Sequence, residues 1–237
     1  MSDFGDNTER KAKILIVDDH PIVRQGMAQL INLQKDLQVC CEAENAAEAL
    51  AAMRACHHDL AIVDLSLPGI SGFELIKTLI QHYRTLSILV CSMYDDPSYA
   101  ERALRAGARG YLVKQESTQN ILFAVRELLK GGTYLSGGIQ ARILERTFES
   151  PAYADRSSLS RLSDREFEVL RLIGLGFGTA EIASKLNRSV KTVETHRAGI
   201  KTKYGLTTSA QLVKFAVMWV SREESELLTD PHSRGSS

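Results

Sequence analysis

The chain has 237 residues, which is enough for two small domains, and 44% of them are hydrophobic, as is ordinary for a globular protein. No apolar stretch approaches the ~20 residues that a membrane-spanning helix needs, and the polar start MSDFGDNTERK is unlike a secretory signal. We therefore expect a cytoplasmic protein with no membrane partner. The net charge is zero, but residues 160–223 carry 11 Lys and Arg against 6 Asp and Glu. This basic module predicts that only one part of the chain meets a polyanion.

The first half of the chain alternates apolar, strand-like runs with segments of helical periodicity. The five predicted strands cover 14–17, 38–42, 60–64, 87–92 and 110–113. The five predicted helices cover 23–33, 46–55, 72–82, 99–106 and 118–130. Such alternation predicts an α/β domain over 12–130 with a parallel sheet, because parallel strands need helical crossovers. The flavodoxin-like order 2-1-3-4-5 would put strands 1 and 3 side by side at its switch point.

The pattern changes after residue 130. Residues 131–158 contain two glycine pairs and the segment SPAYADRSS, which predicts a linker with a short helix over 139–148. From 159 to 223 the chain reads as an all-α domain of four helices, ending near residues 175, 186, 204 and 220. Ser163 and Glu166 form a capping-box pattern at its first helix. Residues 1–11 and 224–237 are polar and are predicted to be disordered tails.

Polar side chains follow the predicted strands where each strand ends. Asp18 and Asp19 follow the first strand, and Asp64 ends the third. Because the carboxyl ends of parallel strands meet at one edge, these carboxylates should crowd together and repel one another unless a cation neutralises them. The sequence therefore predicts that Asp18 and Asp19 hold Mg²⁺ beside a nucleophilic Asp64.

Two further residues complete the expected site. Ser92 ends the fourth strand and Lys114 follows the fifth. A hydroxyl and a compact positive charge suit the oxygens of a transferred phosphoryl group. Taken singly, each of these residues has a simpler explanation as a helix cap or a solvated strand end. A competing chemistry, that of aspartate-nucleophile phosphatases, requires a DxDxT motif, and the chain has Ser66 where the second acid would stand.

Residues 12–130 resemble the receiver domains of two-component response regulators. The resemblance rests on the paired acids, on VDLSLPGISG and on GYLVK, with the matching residues Asp18, Asp19, Asp64, Ser92, Tyr111 and Lys114. It implies that a sensor histidine kinase phosphorylates Asp64. It also implies that Asp64 and the backbone carbonyl of Ser66 join the Mg²⁺ ligands, and that Ser92 and Tyr111 act as switch residues.

Residues 179–204 predict a helix-turn-helix, with two helices joined by a tight turn at Asn187-Arg188. Its apolar residues have the spacing needed to pack the two helices together, and they are Ile182, Ala183, Leu186, Val193 and Ile200. A cationic helix with an apolar back fits the major groove of DNA and the phosphates beside it. A solvated bundle helix and a helix that binds a protein partner are the alternatives.

Residues 159–222 resemble the LuxR-type output domain of the NarL/FixJ class of response regulators, on the segments LSDREFEVLRLI, EIASKL and KTVETHR. This resemblance implies binding of double-stranded DNA and a homodimer after phosphorylation, and it leaves contact with RNA polymerase open. The implied groove-facing residues are Glu194, Thr195 and Ala198. The other candidate DNA contacts are Thr179, Arg188, Ser189, Lys191, Thr192, Lys201 and Lys203. One departure is Gly199 inside the recognition helix, where glycine costs ~1 kcal/mol relative to alanine.

The sequence thus predicts a phosphorylation-controlled transcription regulator, which is no enzyme beyond assisting its own phosphoryl transfer and dephosphorylation. The alternative is a scaffold whose receiver acts by protein–protein interaction without phosphorylation.

The four cysteines, Cys40, Cys41, Cys56 and Cys91, show no CxxC spacing. We expect them to be reduced and mostly buried thiols.

Overall fold

The computed structural model describes residues 10–116, 118–148, 159–186 and 188–228. It divides into two compact units, one made of residues up to 94 together with 103–137, and the other of 95–102 together with 138 onward. Parts of the predicted tails (1–9 and 229–237), part of the predicted linker (149–158) and the turn residue Asn187 lie outside the described residues.

The first unit is built on a parallel sheet with the order β2-β1-β3-β4-β5-β6. Its strands are β1 (Ala12–Val17), β2 (Leu37–Ala43), β3 (Leu60–Val63), β4 (Ser87–Ser92), β5 (Gly110–Val113) and β6 (Tyr134–Leu135). The helices between them are α1 (Pro21–Asn32), α2 (Ala46–Ala55), α3 (Gly72–His82), α4 (Pro97–Ala106) and α5 (Thr118–Leu129), and the first six residues of α4 belong to the second unit. The predicted flavodoxin-like order is confirmed.

The sixth strand is a difference from the sequence expectation of five. Tyr134 and Leu135, inside the segment predicted as a linker, pair in parallel with Gly110 and Tyr111 of β5. The side chain of Ser136 is buried, and its Oγ accepts a hydrogen bond of 2.9 Å from the Val113 backbone N–H. Two residues between glycine pairs carry too little apolar pattern to predict a strand. The strand forms because its backbone hydrogen-bonds to the edge of β5, which would otherwise be unpaired.

Burial explains why the central strands are apolar throughout. All four residues of β3 and of β5 are buried, as expected for parallel strands that are covered on both faces. Backbone hydrogen bonds then fix the strand ends. The Asp64 N–H donates to the Val17 carbonyl at 2.8 Å, which places the end of β3 next to the end of β1. The sheet core therefore positions the acidic residues that follow these two strands.

The second unit is helical in its described part. After α6 (Gly137–Phe148) and a 3₁₀ turn at Leu159–Arg161 come α7 (Asp164–Gly174), α8 (Thr179–Lys185), α9 (Val190–Tyr204) and α10 (Ser209–Leu228). The predicted capping box of Ser163 and Glu166 is present at α7. Ile182, Ala183, Val193 and Ile200 are buried as predicted, and Leu186 is half-buried. No described helix has both the length and the apolar character needed to cross a bilayer.

Candidate functional site: an acidic pocket and a recognition helix

The predicted acidic residues meet in one pocket at the carboxyl edge of the sheet. The side chains of Asp18 and Asp64 are 1% and 3% exposed, and Asp19 is half-buried beside them. Asp18, Asp19, Asp64 and the neighbouring His20 each offer a ligand atom, and these atoms all lie within 4.8 Å of one another. Carboxylates so close and so buried repel one another strongly, so the pocket requires a neutralising charge.

Lys114 supplies that charge within the chain. Its Nζ lies 2.7 Å from Asp18 Oδ2 and 2.7 Å from Asp64 Oδ2, and its side chain is only 6% exposed. Burial lowers the pKa of Lys114, but the two carboxylates outweigh burial and the net pKa is raised. Burial raises the pKa of Asp64, and the Lys114 ammonium only partly offsets this. The lysine therefore stays charged and bridges the acids.

The pocket also suits a hard divalent cation. Asp18 Oδ2 and Asp19 Oδ1 are buried oxygens with no hydrogen bond of normal geometry in the described part of the chain, although Asp18 Oδ2 lies in the ion pair with Lys114. Buried carboxylate oxygens fit the ligand set of Mg²⁺, which takes a few protein oxygens and keeps several waters. The residues present therefore fit the predicted ion.

His20 is a pocket residue that the sequence analysis missed. Its Nδ1 lies 2.7 Å from Asp19 Oδ1 and 3.4 Å from Asp18 Oδ1, while the ring remains largely exposed. Its backbone N–H donates to Asp18 Oδ1 at 2.9 Å, so Asp18 stabilises the turn into α1. The sequence did carry a signal, since His20 directly follows the paired acids.

The predicted switch residues lie on one hydrogen-bonded path next to the pocket. Ser92 is fully buried, and its Oγ accepts from the Tyr94 backbone N–H at 3.4 Å. Tyr111 is also buried, and its hydroxyl donates to the Tyr94 carbonyl at 2.5 Å. The Tyr94 hydroxyl in turn lies 2.8 Å from Ser66 Oγ, two residues after Asp64. Tyr94, which the sequence analysis did not single out, connects the other three.

A glycine sets the backbone path after Asp64. Gly72, the first residue of α3, donates its N–H to the Leu65 carbonyl at 3.1 Å. A Cβ at this position would overlap the Asp64 carbonyl oxygen and would lie 2.6 Å from Leu65 Cα. The start of α3 can therefore pack against the segment that carries Asp64 only because residue 72 has no side chain.

The candidate DNA-binding residues of the second unit gather on α9 and the start of α8. Ser189 caps α9, with its side chain accepting from the Thr192 N–H at 3.1 Å. Thr179 Oγ1 donates to Glu194 Oε1 at 3.0 Å, which links the first residue of α8 to the middle of α9. The exposed candidates are Arg188, Ser189, Lys191, Glu194, Thr195, Ala198 and Lys203, and the half-buried ones are Thr179, Thr192 and Lys201.

Lys203 and Gly199 have partners that the sequence did not indicate. Lys203 Nζ lies 2.5 Å from Glu166 Oε2, and the same oxygen accepts from the Ser163 N–H at 2.7 Å. A Cβ at Gly199 would lie 2.5 Å from Glu166 Oε1. The glycine in the recognition helix thus leaves room for the Glu166 carboxylate.

We predict a pH-dependent loss of stability for Lys203→Met. Burial opposes ionisation of Glu166, but the hydrogen bonds from Lys203 and Ser163 outweigh it and lower its pKa. This stabilisation is present above the pKa of an unfolded glutamate and is lost as the pH falls through the lower folded pKa. The variant should lose about 1.5 kcal/mol of unfolding free energy at neutral pH and almost none in acid. The loss at neutral pH is modest because the Lys203 side chain is partly exposed, and solvent weakens its ion pair. Urea unfolding of the full-length protein at both pH values checks this, and an equal loss at both would contradict it.

Comparison with known proteins supports the two-part organisation. Residues 14–126 match the family described as "Response regulator receiver domain", and residues 160–216 match "Bacterial regulatory proteins, luxR family". The chain is 37% identical over 210 residues to the oxygen regulatory protein NreC of Staphylococcus aureus, a match that covers 86% of this chain and 96% of NreC.

Solved structures give the same result. The RcsB response regulator of Salmonella typhimurium is 30% identical, with a TM-score of 0.67 over 89% of this chain and 98% of that one. RcsB bound to the promoter rprA in the presence of phosphomimetic BeF₃⁻ has a TM-score of 0.63 at 30% identity, over 88% of this chain and 99% of that one. A LuxR-family response regulator from Aurantimonas is 34% identical, with a TM-score of 0.57 over 59% of this chain and 100% of that one. The chain therefore belongs to the two-component response regulators that join a receiver domain to a LuxR-type DNA-binding domain and regulate transcription.

Proposed function

We propose that a sensor histidine kinase phosphorylates Asp64 in the cytoplasm and that this phosphorylation controls DNA binding by α9. The observation that carries the proposal is the single pocket in which Lys114 Nζ lies 2.7 Å from both Asp18 and Asp64. Asp18, Asp19, Asp64 and the Ser66 backbone carbonyl would hold Mg²⁺. When bound, that ion supplies positive charge for the carboxylates and for the phosphoryl oxygens.

The chain's own residues supply position and charge for the transfer. A carboxylate oxygen of Asp64 attacks the phosphorus, the P–N bond of the kinase's phosphohistidine breaks, and a P–O bond to Asp64 forms. Lys114 already contacts Asp64 Oδ2, and its ammonium group can stabilise the negative charge that develops on a phosphoryl oxygen during the transfer. Catalysis of this kind rests mainly on positioning and charge, so the phosphohistidine of the kinase is the only other reacting group, and its histidine is the leaving group.

The Ser92–Tyr94–Tyr111 path is our proposed link from the phosphoryl group to the rest of the receiver. If Ser92 turns its hydroxyl to the phosphoryl group, the Tyr94 N–H loses its acceptor. Tyr94 is also bonded through its carbonyl to Tyr111 and through its hydroxyl to Ser66. The β4–α4 segment would then have contacts that differ between the two states, as a phosphorylation switch requires. We propose that the switched receiver favours homodimers on paired DNA half-sites.

In the output domain, we propose that the groove-facing residues are Glu194, Thr195 and Ala198. Glu194 can accept from a cytosine amino group, whereas the methyl group of Ala198 can only contact a thymine methyl. The remaining candidates would position the helix on phosphates. Lys203 can contact a phosphate only if it breaks or shares its ion pair with Glu166. We therefore propose that its main role is to stabilise the domain through that ion pair.

A salt-dependence prediction follows for Lys191, which is exposed at the start of α9. Lys191→Ala should weaken binding to every duplex by a similar factor and lower the slope of log affinity against log salt by about 0.9, because one phosphate contact is lost. Lys185→Ala is the control, because Lys185, the last residue of α8, lies over the ring of Phe177 and is not among the candidate contacts. Fluorescence anisotropy at several salt concentrations measures both, and an unchanged slope for Lys191→Ala would refute the contact.

The experiment that tests the proposed function measures DNA affinity in both states. A duplex is first selected from random sequences with wild-type protein treated with Mg²⁺ and a small phosphodonor. Its affinity is then compared with and without the donor, for wild type and for Asp64→Asn. We expect the donor to tighten binding by the wild type only. An identical response of Asp64→Asn, or no response of a wild type that carries the phosphoryl group, would reject the proposal.

A further inference from the structure

A second cluster of ligand-type side chains lies outside the acidic pocket. Cys40 and Cys41 belong to β2, and His58 lies just before β3. The two sulfur atoms and a ring nitrogen of His58 all lie within 4.8 Å of one another. Thiolate sulfur and imidazole nitrogen are the ligands that zinc and other thiolate-preferring metal ions take in proteins.

A β-bulge brings the two adjacent cysteines to one place. In the ladder between β1 and β2, Ile14 pairs with Val39 but Leu15 pairs with Cys41, so Cys40 is an extra residue. Neighbouring side chains in a regular strand point to opposite faces, and a bulge re-aims one of them. The local irregularity of β2 therefore accounts for two consecutive thiols that approach the same imidazole.

The buried imidazole is the independent sign of a ligand. His58 is only 3% exposed, and neither of its ring nitrogens makes a hydrogen bond of normal geometry with the residues that the structure describes. Burial lowers the pKa of the His58 ring, and the nearby Cys56 carbonyl only partly offsets this without making a hydrogen bond of normal geometry. Buried polar groups are almost always paired, because an unpaired one is costly. Packing of cysteines as small apolar side chains would leave His58 unexplained.

Cys56 offers both a further ligand and a route of entry. It follows the end of α2 and is exposed, and it lies near Cys41, although its sulfur is not one of the ligand atoms that lie within 4.8 Å of one another. The sequence predicted mostly buried cysteines, but only Cys91 is buried. Cys40 and Cys41 are partly exposed, and Cys56 is exposed. A metal site needs such an opening to load.

We propose that Cys40, Cys41 and His58, with Cys56 as the fourth ligand, bind one thiolate-preferring transition-metal ion, for which Zn²⁺ is the probe. The bound ion would tie the edge strand β2 to the segment that enters β3. It would therefore stabilise the sheet independently of phosphorylation, because a ligand that binds only the folded state raises its stability.

Cobalt titration of the full-length, untagged and reduced protein tests this proposal, with excess Mg²⁺ present to occupy the acidic pocket. We expect a thiolate-to-cobalt charge-transfer band that saturates at one ion per chain and disappears on addition of Zn²⁺. Cys40→Ser and Cys41→Ser should each weaken binding more than about tenfold, since even the loss of a ligand's supporting partner costs about 10–100-fold.

Control variants distinguish the proposed metal site from the acidic pocket and from the remaining cysteine. Asp64→Asn, which alters only the acidic pocket, and Cys91→Ala, which removes the cysteine of β4, should keep the band. His58→Gln should weaken it, and it provides a second test if a cysteine variant fails to give a folded circular-dichroism spectrum. Absence of the band in the folded wild type would overturn the proposal. So would a band that survives when Cys40 and Cys41 are both replaced by serine.

Discussion

Lys114→Met is expected to lower the unfolding free energy in metal-free buffer by about 3–5 kcal/mol, because it leaves buried carboxylates without their counter-charge. Lys114 is 6% exposed and contacts both Asp18 and Asp64 at 2.7 Å. Addition of Mg²⁺ should recover much of the loss, since a divalent cation can neutralise the same oxygens. Wild type should gain less from Mg²⁺, because its lysine already supplies a positive charge.

Urea unfolding with and without Mg²⁺ measures this effect, with Lys130→Met as the control. Lys130 also pairs with an acid, Glu127, at 3.0 Å, but its side chain is 71% exposed, so its removal should cost less than about 1 kcal/mol. Because burial raises the pKa of Asp64, the stability of Lys114→Met should also rise as the pH falls through that pKa. A variant as stable as wild type, or one indifferent to Mg²⁺, would contradict the charge balance described for the pocket.

Gly72→Ala is expected to damage the phosphoryl site without touching any charged residue. Its Cβ would overlap the Asp64 carbonyl and lie 2.6 Å from Leu65 Cα, and these are backbone atoms that cannot rotate away. Overpacking of this kind costs about 1–3 kcal/mol. A shift of the Asp64 backbone by about 1 Å can slow a positioned reaction about 100-fold, so phosphorylation by a small donor should slow by a comparable factor.

The matched control for this glycine is Gly26→Ala. Gly26 lies in α1, and a Cβ there would meet nothing within 4 Å. The alanine should therefore raise stability by up to about 1 kcal/mol through helix propensity and leave phosphorylation unchanged. Phosphorylation time courses followed by intact mass compare the two variants. Equal rates for Gly72→Ala and wild type would show that the close approach at α3 is unimportant for the site.

Much of the receiver fold could be predicted because its signals are local. The strands β3, β4 and β5 and most of β1 are apolar runs, and the polar residues that follow such strands meet at one edge of a parallel sheet. The positions of Asp18, Asp64 and Lys114 follow from that topology alone. The capping box at Ser163 and the apolar spacing within α8 and α9 were equally local and were confirmed.

The features that escaped the sequence depend on contacts between distant segments. Tyr94 contacts Ser66, which is 28 positions away in the sequence, and Lys203 contacts Glu166, which is 37 positions away. No pattern within one segment can predict such a contact. The room that Gly199 leaves for Glu166 follows from how closely α9 approaches α7. The cysteine–histidine cluster depends on a one-residue bulge in β2, which hydrophobic alternation cannot reveal.

Intact mass spectrometry after incubation with Mg²⁺ and a small phosphodonor tests the central claim most directly. The acidic pocket predicts that wild type gains the mass of one phosphoryl group, that the gain depends on Mg²⁺, and that Asp64→Asn gains nothing. A wild type that gains no mass, or an equal gain by Asp64→Asn, would contradict the assignment of Asp64 as the phosphorylated residue of this pocket.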